Sequence, residues 1–155
     1  MTWYGRYVRC TKESALPVDI AAALGNAFAA AQFPGVVAVY LFGSHAEGRA
    51  HRESDIDVGV LLRHLAYPSA AMRFDERVRL CAWLVGALHA NNVDLVVLND
   101  APPLLARRIV THGQRAFCRD PEAAHTFVRD VQLRAADLEP FLRRARRTTL
   151  AALTP

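Results

Sequence analysis

Residues 43–57 read Gly43-Ser44-His45-Ala46-Glu47-Gly48-Arg49-Ala50-His51-Arg52-Glu53-Ser54-Asp55-Ile56-Asp57. An apolar run, Val36 to Phe42, precedes this stretch, and a second, Ile56 to Leu62, overlaps its end. Both runs have the length and β-branched content of buried strands. A Gly-Ser pair therefore closes one strand, and ten residues later an Asp-x-Asp opens the next. Strand side chains alternate between faces, so Asp55 and Asp57 share a face about 7 Å apart while Ile56 and Val58 take the other. Two such carboxylates repel by about 1 kcal/mol in water, or about 4 at an effective dielectric of 20, if they close to 4 Å. A hard divalent cation relieves that repulsion, and carboxylate pairs with substrate phosphates are the ligands Mg²⁺ takes. Gly43 suits a sharp turn and close backbone approach. Ser44 is a good helix cap, and His45 to Gly48 read as a short turn whose N–H groups favour an anion. The spacing predicts a phosphate cradle beside a metal-binding edge.

A third carboxylate comes from Asn92-Val93-Asp94-Leu95-Val96-Val97-Leu98. The run reads as a buried strand over 93–98. The intervening stretch, about 69–90, is amphipathic, with Phe74, Val78, Cys81, Val85 and Leu88 on one face. A crossover helix of that kind makes strands 56–62 and 93–98 parallel neighbours. Asp55, Asp57 and Asp94 all stand at strand starts, so parallel pairing brings them to one edge. Asp94 has a second reading as the cap of its own strand, and Ser54 reads as a turn cap. His45 and His51 read as loop residues rather than bases. Arg49 and Arg52 reach either phosphate or solvent, and Glu47 stands exposed or orients Arg49.

Outward from this centre the chain is regular. Residues 1–16 form an aromatic and basic arm, and residues 17–155 one domain. Pro17 opens a helix to about Ala31, with Ile20, Leu24 and Phe28 on one face. Pro34-Gly35 breaks the chain before the first strand. Ala101-Pro102-Pro103 starts a helix to His112, stopped by Gly113, and Arg115 to Cys118 read as an edge strand. Asp120-Pro121 begins a long helix with Ala124, Phe127, Val128, Val131, Ala135 and Leu138 in register, which Pro140 should kink or end. Its stripe reads as core, and Arg143, Arg144, Arg146 and Arg147 beyond it as a solvated face or a docking patch for an acidic partner. The fold class is α/β (α+β): a small mixed β-sheet flanked by helices, with a long C-terminal helix.

Composition narrows the function. With 155 residues and 52% apolar content the chain can bury a real core. No apolar run approaches the roughly 20 residues that span a membrane. The first residues lack an apolar leader core, and Cys10, Cys81 and Cys118 fit a reducing cytoplasm rather than a disulfide framework. A net charge of +4 and a pI near 9.3 suit a polyanionic nucleotide or an acidic partner. The charge is too small to argue for nucleic acid, and no stacking platform accompanies it.

Gly43-Ser44, ten residues and Asp55-x-Asp57, followed by Val93-Asp94-Leu95, Asn99 and Gly113, resemble the minimal nucleotidyltransferases of the β-polymerase-like superfamily. Within that group the chain is similar to the MntA-like antitoxins of bacterial HEPN–MNT toxin–antitoxin pairs, over roughly residues 18–150. The resemblance implies a nucleotidyltransferase fold, ATP as co-substrate and two Mg²⁺ ions. It implies transfer of AMP to a tyrosine hydroxyl of a partner HEPN ribonuclease, silencing that toxin. Carried over, Asp55 and Asp57 would ligate both ions, and Asp94 would hold the one beside the attacking hydroxyl. Gly43 and Ser44 would grip the triphosphate, with Arg49 as a further phosphate contact. The family often has Arg or Lys where Glu47 stands, so this chain lacks one phosphate contact there while its metal ligands are intact. Two other readings compete: adenylylation of a small molecule such as an aminoglycoside, and an antitoxin that acts by contact alone. The short segment after Cys118 and the positive net charge argue against the first, and three clustered carboxylates against the second.

Overall fold

In the computed structural model, residues 19–51 and 54–153 are described, with side chains to residue 145. The expected arm, residues 1–16, and Arg52 lie outside them. The elements follow in the order α1 (Ile20–Ala30), β1 (Val36–Phe42), α2 (Gly43–Ala46), β2 (Ile56–Leu62), α3 (Ala70–Leu88), β3 (Val93–Val97), α4 (Pro103–His112), β4 (Gln114–Cys118) and α5 (Pro121–Leu153). The strands make a mixed sheet in the order β3-β2-β1-β4. β1 is antiparallel to β2 and β4, and β2 is parallel to β3, as the crossover helix requires.

Alternation along the strands sorts their side chains into two cores. Ile56, Val58, Val60 and Leu62 of β2 pack with Leu24 and Phe28 of α1 and with Leu80, Leu84 and Leu88 of α3. Phe28 is fully buried and meets Trp83 edge-on, with centroids 5.0 Å apart. Burying a side chain of this size stabilises the fold by about 1.5–3 kcal/mol. The opposite face of the sheet carries Tyr40 and Leu61 against Ile109 of α4 and Ala124 of α5. Asp57, at the start of β2, is in phase with this second face. Gly59, in phase with Asp57, leaves its absent side chain only 3.0 Å from Ile109 and 3.3 Å from Leu98. Asn99 bridges the far end, accepting from Leu62 N–H and donating to its carbonyl, both at 2.9 Å.

Three expectations change. First, α1 begins at Ile20, capped by Asp19, which accepts from Ala22 N–H at 2.9 Å; Pro17, expected to open it, lies outside the described residues. Second, the buried stripe of α3 is Glu76, Leu80, Leu84 and Leu88, while Phe74 and Val78 are 61% and 55% exposed. The stripe is disguised by a charge: Glu76 is buried because Arg79 Nη2 donates to it at 2.8 Å and Tyr67 hydrogen-bonds to it. Third, of the two outcomes expected at Pro140, a kink or an end, the end is excluded: α5 runs through to Leu153. Pro140 is exposed, so the Ala136 carbonyl it leaves without an N–H partner faces water. Glu139 ties the turn to Arg143 at 3.2 Å and to Arg107 of α4 at 3.5 Å.

Candidate active site

The parallel register of β2 and β3 sets Asp57 opposite Asp94. Paired residues in adjacent parallel strands project to the same face, so the two carboxylates are lateral neighbours. Asp55 stands two residues before Asp57, just ahead of β2, and is exposed. Asp94 and Asp55 each act electrostatically on Asp57. The Asp57 carboxyl is raised above the ordinary aspartate range, first by burial, then by the charge of Asp94, then by that of Asp55; His45 opposes the shift. Asp94 is 61% exposed and only loosely approached by Arg77 of α3, at 3.9 Å. An exposed pair at that separation contributes at most about 1 kcal/mol, so it leaves Asp94 available.

Gly43 closes β1 with φ of 68°, a left-handed conformation that disfavours side chains. The contact explains the glycine further: a Cβ here would overlap Asp57 Oδ2 and lie 2.9 Å from its Cγ. The Gly43 turn and the acidic edge therefore touch. α2 is a single turn, in which Glu47 N–H donates to the Gly43 carbonyl at 3.2 Å and Arg49 N–H to the Ser44 carbonyl at 3.0 Å. Ser44 is not its cap, contrary to expectation. The cap position falls to Phe42, in extended conformation, which has no side-chain acceptor. The first N–H groups of the turn thus remain uncapped by a side chain.

Arg49 forms an ion pair with Glu47. Glu47 also draws Arg108 Nη2, from α4, to 3.7 Å. Both arginines are 73% exposed, so each pair contributes at most about 1 kcal/mol and exchanges readily.

Two residues that sequence reasoning read as bystanders position the acids. The Ser54 carbonyl accepts from Asn92 Nδ2 at 2.7 Å and from His45 Nε2 at 3.2 Å. The Asn92 carbonyl accepts from Ile56 N–H at 2.8 Å. These bonds tie the residue before Asp55 to the start of β3 and to the phosphate turn. Asn92 looked only like a strand boundary; its position one residue ahead of the third strand was the available signal. Ser54 does cap its turn, Oγ accepting from His51 N–H at 2.7 Å.

Among the described residues no three His, Cys, Asp or Glu side chains already stand close enough to enclose a metal ion. The donor set nevertheless suits a hard cation in kind. It is oxygen only, and burial, then the charges of Asp94 and Asp55, disfavour an ionised Asp57, an effect that a divalent ion would offset. No described helix is long and apolar enough to cross a membrane.

Residues 27–122 match the family model for polymerase beta nucleotidyltransferases. The protein adenylyltransferase MntA of Shewanella oneidensis is 39% identical over 86 residues, covering 54% of this chain and 55% of that protein. The alignment thus spans about half the length of that curated relative. A chain from a toxin–antitoxin crystal structure with AMP-PNP superimposes with a TM-score of 0.61 and 25% identity, covering 86% of this chain and 98% of that one. A chain from a mutant MntA–HpeT toxin–antitoxin structure gives 0.56 and 26%, covering 78% and 88%. The family match extends over more than half of the sequence and contains both the Gly43-Ser44 turn and all three acids. This chain belongs to the polymerase beta nucleotidyltransferase family.

Proposed function

We propose that the protein is an antitoxin that transfers AMP from ATP to a hydroxyl of a HEPN-domain toxin, a tyrosine hydroxyl in particular. The observation that carries this reading is the in-register pairing of Asp57 with Asp94 against the Gly43 turn. The relative named as a protein adenylyltransferase and the AMP-PNP-containing toxin–antitoxin structure support the nucleotide and the partner class.

In this reading Asp55, Asp57 and Asp94 would hold Mg²⁺, two ions in all. Bound there, the metal supplies charge neutralisation for the phosphates and a more acidic attacking hydroxyl. The chain's own contribution is positional. Gly43 lets the backbone approach the polyphosphate, and Ser44 offers it a hydroxyl with the uncapped N–H groups of the turn. Asn92 and His45 hold the Asp55 segment against both neighbours. The acceptor hydroxyl attacks the α-phosphorus, its proton leaves to solvent or base, and the bond to the bridging oxygen of pyrophosphate breaks. Placing reactants in line and fixing charges in advance account for most of the acceleration such a site offers.

The test mixes the purified protein with ATP, Mg²⁺ and a HEPN-domain toxin from the same genome, and reads the partner's intact mass. A gain of one or more AMP residues, located on tyrosine and abolished by Asp57→Asn, is the expected result. An unchanged mass, with toxin still neutralised by the Asp57→Asn protein, means neutralisation by contact alone.

A further inference from the structure

Beside the acidic edge lies a second feature that the reaction chemistry above leaves unused. Gly43 touches Asp57 on one side and on the other lines a cavity of about 170 Å³ with Glu47, Arg108 and His112. Ile109 and Gly113 form the α4 wall. The space is too small for a nucleoside but suits a phosphate group, and it shares Gly43 with the acidic edge.

We propose that Arg108, on α4, binds the terminal phosphates of the nucleotide, exchanging Glu47 for them, with His112 in the same wall; this rests on the nucleotide reading above. The charge pattern explains why an arginine from a distant helix is needed. Glu47 places a carboxylate beside the turn that receives the polyphosphate, and by itself it would repel it. Arg108, 61 residues later in sequence, comes to 3.7 Å from that carboxylate. Together with Arg49 it brings two guanidinium groups to one carboxylate, so the cluster is a net cation. A phosphate offers a guanidinium paired, charge-assisted hydrogen bonds that a 3.7 Å surface contact does not. The site therefore holds its phosphate ligands in reserve on Glu47. The adjacent Arg107 points elsewhere, to Glu139 of α5 at 3.5 Å, and serves as a matched control.

Titration calorimetry of the whole protein with Mg²⁺ and AMP-PNP, pyrophosphate or AMP tests this. Arg108→Gln should weaken AMP-PNP and pyrophosphate about tenfold, leave AMP unchanged, and recover in part as Arg108→Lys. Glu47→Gln, which frees both arginines, should tighten AMP-PNP severalfold. Arg107→Gln should change none of the three. Equal affinity of Arg108→Gln and wild type for AMP-PNP and pyrophosphate, or an equal loss for AMP, overturns the proposal while nucleotide binding itself stands. A wild-type protein that binds neither AMP-PNP nor pyrophosphate brings down both readings. Because Arg108 is 73% exposed, unfolding midpoints should match throughout.

Discussion

Gly43 and Asp57 are in such close contact that neither position is independent of the other: any side chain at Gly43 would overlap the Asp57 carboxylate. The turn expected to cradle phosphate is thereby built against a carboxylate expected to hold metal. This packing also explains why the glycine ends β1, since φ there is 68°.

Gly43→Ala should therefore damage catalysis more than folding. The methyl displaces Asp57 and strains the backbone at a cost of about 1–2 kcal/mol. A displacement near 1 Å at a reacting centre costs on the order of a hundredfold in rate. Transfer assays should show that loss, with a thermal midpoint only a few degrees lower. Wild-type turnover in this variant would remove Gly43 from the site.

Asp57→Asn should abolish transfer and at the same time stabilise the metal-free protein at neutral pH. The sign follows from the direction of the shift. A carboxyl raised above its unfolded value by burial, Asp94 and Asp55 opposes folding whenever it is ionised. That cost is fully present above the folded value and disappears as pH falls through the carboxylate range. Thermal melts without divalent ions should place the variant about 1–3 °C above wild type near pH 7, with the gap closing in acid. Added Mg²⁺ should raise the wild-type midpoint and leave the variant's unmoved.

Asn92→Ala and His45→Ala each remove a donor to the Ser54 carbonyl. The first is the shorter bond and should cost more. We expect a tenfold or larger fall in kcat for Asn92→Ala, on the order of what misplaced reacting groups cost, with a smaller change in KM for ATP. The split separates a positioning role from a nucleotide contact, which would move KM instead.

Asp120 anchors the other end of the molecule. It caps α5 by accepting from Ala123 N–H at 3.0 Å and from Arg63 Nη2 at 2.9 Å. The Ala123 bond first, then Arg63, hold its carboxyl below the ordinary aspartate range. A depressed group stabilises above its unfolded value and loses that contribution as pH falls through the folded one. Asp120→Ala should lower the thermal midpoint by a few degrees near neutrality, by less in acid, and leave transfer intact. An equal deficit at all pH values would mean that the carboxylate's charge is not what stabilises the helix start.

The strands and the Gly-Ser and Asp-x-Asp elements were legible in the linear chain because period, spacing and turn residues are local properties. The three acids were legible as a group because a crossover helix obliges the parallel pairing. The α3 face was not: Glu76 reads as a solvent residue until Tyr67 and Arg79 are seen around it. Pro140 does not end α5 for the converse reason, since an exposed proline leaves a carbonyl that water can satisfy.

Local pattern thus pointed to the candidate residues and to the strands on which they begin. It did not reach the contact of Gly43 with Asp57, the hold of Asn92 on Ser54, or the approach of Arg108 to Glu47. Each of those joins residues 14 to 61 positions apart, read from their numbers. Such meetings depend on how helices and strands pack against one another, and no spacing along the chain encodes them.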